Sequence, residues 1–188
     1  MSGFGPGDPG SNPGRAIIMR CKIYVLTGAP CTGKTSVLNE LEKREYAVLD
    51  EGTNNASLNL NEGGDTDEFD LAVFNFRKKK IEEISKVEGL FFSDRGIGDT
   101  LAYYRLKGFQ ISQHILHFSN SVNYAGVFIF EPLGIYESNE FRQAPKEKQQ
   151  EIQEEIVRAY REMGCQLFFV PPLSIEERVS FILDKAKP

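Results

Sequence analysis

Short apolar runs alternate with amphipathic stretches along the chain after residue 20. Five runs are nearly all apolar and rich in β-forming residues, which suits strands of a parallel sheet that helices cover on both faces. These runs lie at residues 21–27, 45–49, 89–93, 126–130 and 166–170. Between them, apolar residues at helical spacing predict helices over residues 33–43, 67–87, 99–106, 112–121, 145–163 and 174–187. The pattern therefore predicts a three-layer α/β domain with a five-stranded parallel sheet and right-handed crossovers.

Other segments show neither pattern. Residues 1–14 hold five glycines and three prolines, so we expect residues 1–18 to be a disordered head, either an upstream extension or a remnant of cloning. The folded domain is then predicted at residues 19–188. The polar stretch 51–65 predicts a long loop. Residues 133–148 follow the fourth strand, where a lid could close over bound phosphates.

Composition narrows the class of protein. A length of 188 residues with 40% hydrophobic residues is typical of one domain. The net charge of −5 argues against nucleic acid as a partner bound through overall charge. The sequence has neither a signal-peptide pattern nor an apolar run of membrane-spanning length, so we expect a cytoplasmic protein without membrane contact. The three cysteines lack CxxC spacing, which predicts neither a disulfide framework nor a zinc site.

The strongest chemical signal is GAPCTGKT at residues 28–35, a full match to the P-loop pattern GxxxxGK[ST]. It lies between a predicted strand and a predicted helix, where free backbone amides and the helix dipole favour phosphate. We expect Lys34 to reach the β- and γ-phosphates of ATP or another nucleoside triphosphate, and the Thr35 hydroxyl to bind Mg²⁺. The predicted nucleotide-binding residues are Gly28, Ala29, Pro30, Cys31, Thr32, Gly33, Lys34, Thr35 and Ser36.

The third strand is followed by two charged residues. Asp94 is the candidate that holds Mg²⁺ or its bound water, because a P-loop needs a carboxylate at the end of a neighbouring strand. Asp94 could instead cap a turn before Gly96. Arg95 would point into the cleft at the carboxyl ends of the strands and meet an anionic group of a substrate, or it could be an ordinary surface arginine.

Further candidates follow the second and fourth strands. Asp50 and Glu51 close the second strand and are candidates for substrate binding, with Glu51 also a candidate base for an acceptor hydroxyl. Either residue could instead cap the loop. Arg142, in the predicted lid, could stabilise transferred charge or be a surface arginine in a solvated loop.

Several segments together resemble a known family, over about residues 21–185. They are TGAPCTGKTS at 27–36, DEG at 50–52, FFSDRGIGDTLAYY at 91–104, NEFRQ at 139–143 and YREMGCQLFFVPPLSIEERVSFIL at 160–183. The sequence is similar to small AAA-labelled P-loop ATPase domains related to the ribosylnicotinamide kinase domain and, more distantly, to nucleoside and nucleotide kinases. The resemblance implies ATP or another nucleoside triphosphate with Mg²⁺, a kinase-like strand order with the Asp94 strand beside the P-loop strand, and Arg142 in a lid. It also makes Glu51 the family's acidic residue after the second strand.

Two functions remain open from the sequence. The first is a kinase that transfers a phosphoryl group from ATP to a small-molecule acceptor, such as a nucleoside, a nucleotide or a vitamin-like compound. The second is a protein that hydrolyses or senses ATP or GTP and acts as a switch on a protein partner. The family contains domains labelled only as ATPases, so the resemblance does not decide between a kinase and an ATPase.

Overall fold

The computed structural model of the protein describes residues 21–49, 66–133 and 146–186. The predicted head, the predicted loop at 51–65 and nearly all of the predicted lid lie outside these ranges. The described elements are β1 (Lys22–Thr27), α1 (Lys34–Lys43), β2 (Ala47–Leu49), α2 (Asp67–Ile84), β3 (Leu90–Asp94), α3 (Ile97–Leu106), α4 (Gln113–Ser121), β4 (Gly126–Phe130), α5 (Lys146–Glu162), β5 (Leu167–Val170) and α6 (Ile175–Lys185).

The five strands form one sheet in the order β2-β3-β1-β4-β5, and every neighbouring pair is parallel. The predicted α/β fold with a five-stranded parallel sheet is thereby confirmed. The strand β3 lies directly beside β1, and Asp94 pairs with Leu26 in the register. Because strand ends of a parallel sheet meet at one edge, the residues after β1 and β3 come together there.

Alternation along β1 divides the core between the two faces of the sheet. Ile23 and Val25 pack into one apolar cluster with residues of α2, α3, α4 and α5, whereas Tyr24 and Leu26 pack into a second cluster with residues of α1 and α6. These helices therefore form the two outer layers that the apolar strands require. None of the helices in the described ranges is long and apolar enough to cross a membrane.

Two element boundaries differ from the prediction in ways that matter for the site. The strand β2 begins at Ala47 rather than at residue 45, because Glu45 has a positive φ of 65° and belongs to the turn that closes α1. The helix α3 begins at Ile97, two residues earlier than predicted. Asp99 is therefore the third residue of α3 rather than its first.

Candidate functional site

The P-loop, residues 28–35, connects β1 to α1 and needs glycine at both ends. Gly28 has a φ of 140°, and a Cβ on it would lie 2.8 Å from the carbonyl oxygen of Phe130. Gly33 has a φ of 80°, and a Cβ on it would lie 2.7 Å from Nη1 of Arg178. The backbone conformation and the close neighbours both exclude a side chain at these positions. Between the glycines the loop exposes Cys31, whose φ is 62°.

The first turn of α1 begins at Lys34, at the end of the P-loop. Gly33 is the N-cap residue, so no side chain caps this helix, and its first turn contains no acidic residue. The N–H of Val37 donates to the Gly33 carbonyl at 3.4 Å, which is the first bond of the helical ladder. The amides of Lys34, Thr35 and Ser36 precede that bond in the helix, and no side chain of the N-cap residue caps them. Their N–H groups and the helix dipole together favour an anion.

The Lys34 side chain folds along the P-loop. It is buried, and its Nζ donates to the carbonyl oxygens of Gly28 at 3.1 Å and Ala29 at 2.9 Å. The Thr32 hydroxyl lies 3.2 Å from Nζ and donates to the Ala29 carbonyl at 3.0 Å. The ammonium group is thus held against the loop, close to the amides that open α1.

The residues predicted to bind Mg²⁺ lie on two neighbouring elements. Asp94 is the last residue of β3 and is half-buried, and Thr35 is an exposed residue in the first turn of α1. A hydroxyl and a carboxylate are hard oxygen donors of the kind that Mg²⁺ takes from a protein, the remaining positions being filled by phosphate and water. The donor set therefore fits Mg²⁺. Metal binding by Thr35 and Asp94 stays a prediction.

Arg95 lies against the P-loop. It has a positive φ of 62° and is buried, which excludes an ordinary surface arginine. Its Nη1 lies 2.9 Å from Oδ1 of Asp99 and 3.4 Å from the Gly28 carbonyl, and its guanidinium lies 5.6 Å from the ring centre of Tyr103. The guanidinium therefore has a carboxylate, a carbonyl and an aromatic ring of the protein as neighbours. Contact with a substrate stays a prediction.

Asp99 is the centre of a buried network that the sequence did not predict. The carboxylate is fully buried, and it accepts hydrogen bonds from the Thr27 hydroxyl at 2.5 Å, Arg95 Nη1 at 2.9 Å, the Gly96 N–H at 3.0 Å and the Tyr160 hydroxyl at 2.6 Å. It joins the end of β1, the turn after β3 and the helix α5.

The environment of Asp99 keeps it charged. Burial on its own would raise the pKa of the carboxyl, but the positive charges of Arg95 and Arg77 and the hydrogen bonds from Thr27 and Tyr160 lower the pKa below its usual value. Burial raises the pKa of the Tyr160 phenol, and the Asp99 charge raises it further. Tyr160 therefore stays a neutral donor to Asp99.

Two further side chains hold the P-loop, and both were missed from the sequence. Gln153 of α5 accepts from the Ala29 N–H at 2.7 Å and donates to the Phe130 carbonyl at 3.0 Å. Arg178 of α6 donates from Nη1 to the Thr32 carbonyl at 3.0 Å. One signal for Arg178 was available: it stands beside Val179 on the stripe of α6 that faces the core.

Positive charge is concentrated at the P-loop. Among the described residues, three cationic side chains donate to its carbonyl oxygens, namely Lys34, Arg95 and Arg178. Asp99 offsets the charge of Arg95. A multiply charged anion such as a phosphate chain suits this arrangement, even though the whole sequence carries a net charge of −5.

Three predicted site residues lie outside the described residues. Asp50 and Glu51 directly follow the last described residue of β2, and Arg142 belongs to the segment predicted as a lid. Their roles in substrate binding, acceptor activation and charge stabilisation stay predictions.

The fold is shared with solved kinase structures. Thymidylate kinase from Ehrlichia chaffeensis matches with a TM-score of 0.64 and 14% identity, over 89% of this chain and 100% of that chain. The NadR protein in complex with NR matches with a TM-score of 0.67 and 14% identity, over 89% of this chain but only 51% of that chain. Deoxyadenosine kinase from M. mycoides with bound dATP matches with a TM-score of 0.59 and 15% identity, over 87% and 98%. At these identities the likeness shows the fold alone.

The sequence comparisons give a family. No curated protein matches the chain. A family model described as "AAA domain" matches residues 23–178. The predicted resemblance to small AAA-labelled P-loop domains with kinase relatives is thereby confirmed. Because the match covers most of the sequence, the chain belongs to this AAA domain family.

Proposed function

We propose that the protein binds ATP, or another nucleoside triphosphate, with Mg²⁺ at the P-loop and transfers its γ-phosphoryl group to a small-molecule acceptor. The observation that carries the proposal is the start of α1. There, amides without a capping side chain, the buried Lys34 ammonium and a complete GxxxxGK[ST] motif come together beside the carboxylate at the end of β3. This is the arrangement that phosphoryl transfer needs for positioning phosphates and neutralising their charge.

The donor side of the reaction uses the P-loop and its neighbours. The amides at the start of α1 cradle the phosphates, and Lys34 moves from the loop carbonyls to the β- and γ-phosphates. Thr35 and Asp94 would hold Mg²⁺, which supplies positive charge to the phosphate oxygens when it is bound. Each of these contacts favours the charge distribution of the transferring phosphoryl group.

The acceptor side rests on residues next to this centre. Glu51 or Asp94 positions the acceptor hydroxyl in line with the γ-phosphate, and Asp50 and Arg95 contribute to binding the acceptor. Arg142 stabilises the charge that develops on the transferred group. We assign a nucleoside, a nucleotide or a vitamin-like compound as the acceptor class.

The similar structures support this acceptor class by what they are named to bind. One is a thymidylate kinase, one a deoxyadenosine kinase with bound dATP, and NadR has been solved with NR and also with NAD and AMP-PNP. Their common feature is a nucleoside or nucleotide, either in the enzyme's name or as the compound in the structure.

Nucleotide binding is tested first, with two lysines of the same helix. Lys34→Met removes the ammonium at the start of α1 and keeps a side chain of similar length, so the affinity for Mg·ATP should fall about 100-fold. Lys43→Met removes the ammonium at the other end of α1, where the side chain is exposed. This control should bind Mg·ATP like the wild type in isothermal titration calorimetry. Equal affinity of all three proteins would contradict the proposal.

Phosphoryl transfer is tested with a panel of acceptors. ADP release from Mg·ATP should rise on addition of one nucleoside, nucleotide or vitamin precursor, and mass spectrometry should show that compound with one added phosphoryl group. Nucleotide binding with slow hydrolysis that no acceptor stimulates would instead favour the ATP- or GTP-dependent switch. That switch also predicts capture of a protein partner that differs between ATP and ADP.

A further inference from the structure

Arg178 of α6 is a buried cation, and no acidic residue of the same helix pairs with it. Its side chain is buried, and within the described ranges Arg178 forms no ion pair with a carboxylate. The nearby acids of α6 are engaged elsewhere, since Glu176 pairs with Arg44 and Glu177 bonds to Ser174. A buried guanidinium without a carboxylate costs free energy, because burial disfavours its charged form. Burial correspondingly lowers the pKa of Arg178.

The contacts that Arg178 does make all lead to the P-loop or its base. Nη1 donates to the Thr32 carbonyl at 3.0 Å, and the guanidinium lies 5.9 Å from the ring centre of Phe130 at the end of β4. Nε is buried and has no hydrogen-bond partner among the described residues. The side chain is therefore fixed by one backbone carbonyl and one aromatic ring, at the point where the loop becomes α1.

The bond to Thr32 sets the direction of the next amide. In a trans peptide, the carbonyl of one residue and the N–H of the following residue point in opposite directions. With the Thr32 carbonyl turned towards Arg178, the Gly33 N–H is directed away from Arg178. Gly33 permits this approach because it lacks a Cβ, which would lie 2.7 Å from Nη1. The contact between Arg178 and the Thr32–Gly33 peptide thus explains why residue 33 is a glycine, and it fixes the orientation of the Gly33 N–H.

We propose that Arg178 is a positioning residue of the P-loop, which holds the Thr32–Gly33 peptide so that the Gly33 N–H faces a bound phosphate. Its guanidinium also supplies positive charge behind that peptide. This inference rests on the proposed function, since it assigns the phosphate of the nucleotide as the group that the amide meets. The inference adds Arg178 to the residues that form the binding site, although Arg178 lies 146 positions after Thr32 in the sequence.

The test compares Arg178→Met with the wild type by calorimetric titration of ADP. Met keeps the apolar stem but cannot hold the Thr32 carbonyl, so the affinity for ADP should fall about 10- to 100-fold. In ¹H–¹⁵N spectra, the Gly33 amide should shift on ADP addition in the wild type and shift much less in Arg178→Met. Arg44→Met is the control, because Arg44 also links α1 to α6, through Glu176, without touching the P-loop. It should bind ADP like the wild type.

Chemical rescue separates positioning from simple helix docking. In Arg178→Ala, free guanidinium at millimolar concentration should restore ADP affinity several-fold, whereas methylammonium, which lacks the planar fork, should not. Arg178→Lys keeps the positive charge and is the variant to use if Arg178→Met and Arg178→Ala fail to fold. It should also bind ADP more weakly than the wild type.

The outcomes distinguish the two proposals. If Lys34→Met loses ADP affinity while Arg178→Met and Arg178→Lys bind like the wild type, the role of Arg178 is overturned and the proposed function stands. A loss of affinity in Arg178→Met that Arg44→Met reproduces, or a loss in Arg178→Ala that guanidinium does not restore, also overturns it. If the wild type itself binds no nucleotide, the proposed function fails.

Discussion

Two helices that lie on the same face of the sheet begin in opposite ways. The helix α6 is capped by Ser174, whose hydroxyl accepts from the Glu177 N–H at 3.3 Å, while the Glu177 carboxylate accepts from the Ser174 N–H at 3.0 Å. Two glutamates complement the dipole in its first turn. The helix α1 has Gly33 at the same position, no capping side chain and a lysine as its first residue.

The two helix starts differ in what their side chains offer to the backbone amides of the first turn. In α6 the sequence SIEE provides the oxygens and the negative charge that the amides need. In α1 the sequence GKTS places no capping side chain at the N-cap position and no acidic residue in the first turn, which would destabilise an ordinary helix start. A bound phosphate would supply both the oxygens and the negative charge, so the proposed nucleotide accounts for the unfavourable start of α1.

The largest expected effect comes from making α1 begin like α6. Ser36→Glu places a carboxylate at the third helical position, which Glu177 occupies in α6. A negative charge there repels phosphate at close range, so the affinity for Mg·ADP should fall about 100-fold or more. The same charge complements the helix dipole, and the melting temperature should stay constant or rise slightly. Calorimetric titration measures the affinity for Mg·ADP, and thermal unfolding measures the melting temperature.

Asn39→Glu is the matched control for that substitution. Asn39 is an exposed residue of α1 about one turn further along. The dipole and phosphate effects are confined to the first turn, so ADP affinity should stay near the wild-type value. Equal losses in Ser36→Glu and Asn39→Glu would mean that the start of α1 is not the phosphate site.

A second prediction concerns α3, which begins beside the P-loop. The carboxylate of Asp99 in its first turn accepts a hydrogen bond from the N–H of the N-cap residue Gly96. Asp99→Asn removes the charge that faces Arg95 and leaves that arginine buried without its ion pair. The free energy of unfolding should fall by about 3 kcal/mol. Urea unfolding measures this change, and a loss within experimental error would contradict the structural role of the network.

The contribution of Asp99 to stability should depend on pH in a defined direction. The pKa of Asp99 lies below its usual value of 3.8 in the folded state. Its stabilising contribution is therefore complete above about pH 4 and is lost as the pH falls through the folded pKa. The wild type should lose more stability than Asp99→Asn between about pH 5 and pH 2.

The smallest effect is expected at the capped helix. Ser174→Ala removes the capping hydroxyl of α6 and should lower the free energy of unfolding by about 1 kcal/mol. ADP affinity should not change, because this cap serves only its own helix. A drop in ADP affinity larger than the drop in stability would show that the start of α6 also contributes to binding.

The local parts of the structure were predictable from the sequence. The five strands follow from apolar runs, and the P-loop follows from residues that are contiguous in the chain and carry their own geometry. The turn after α1 was not predicted, because Glu45 adopts a positive φ that its residue type does not signal. The early start of α3 was missed since Gly96 is a weak N-cap signal and Asp99 looked like the start of the helix.

The contacts that hold the site were not predictable, because they join residues far apart in the chain. Thr27 and Asp99 are separated by 72 residues, and Ala29 and Gln153 by 124. Such pairs become neighbours only once the strand order brings the ends of β1 and β3 together and packs α5 and α6 around them. A polar residue such as Gln153 carries no pattern that reveals a partner of this kind.

The most direct test of the central claim is a titration of ¹⁵N-labelled protein with Mg·ADP, followed at the amides of the two helix starts. The amides of residues 33–36 should show large shifts that saturate with one equivalent, and those of residues 175–177 should hardly change. Shifts confined to other parts of the protein, or equal shifts at both helix starts, would contradict a nucleotide phosphate bound at the start of α1.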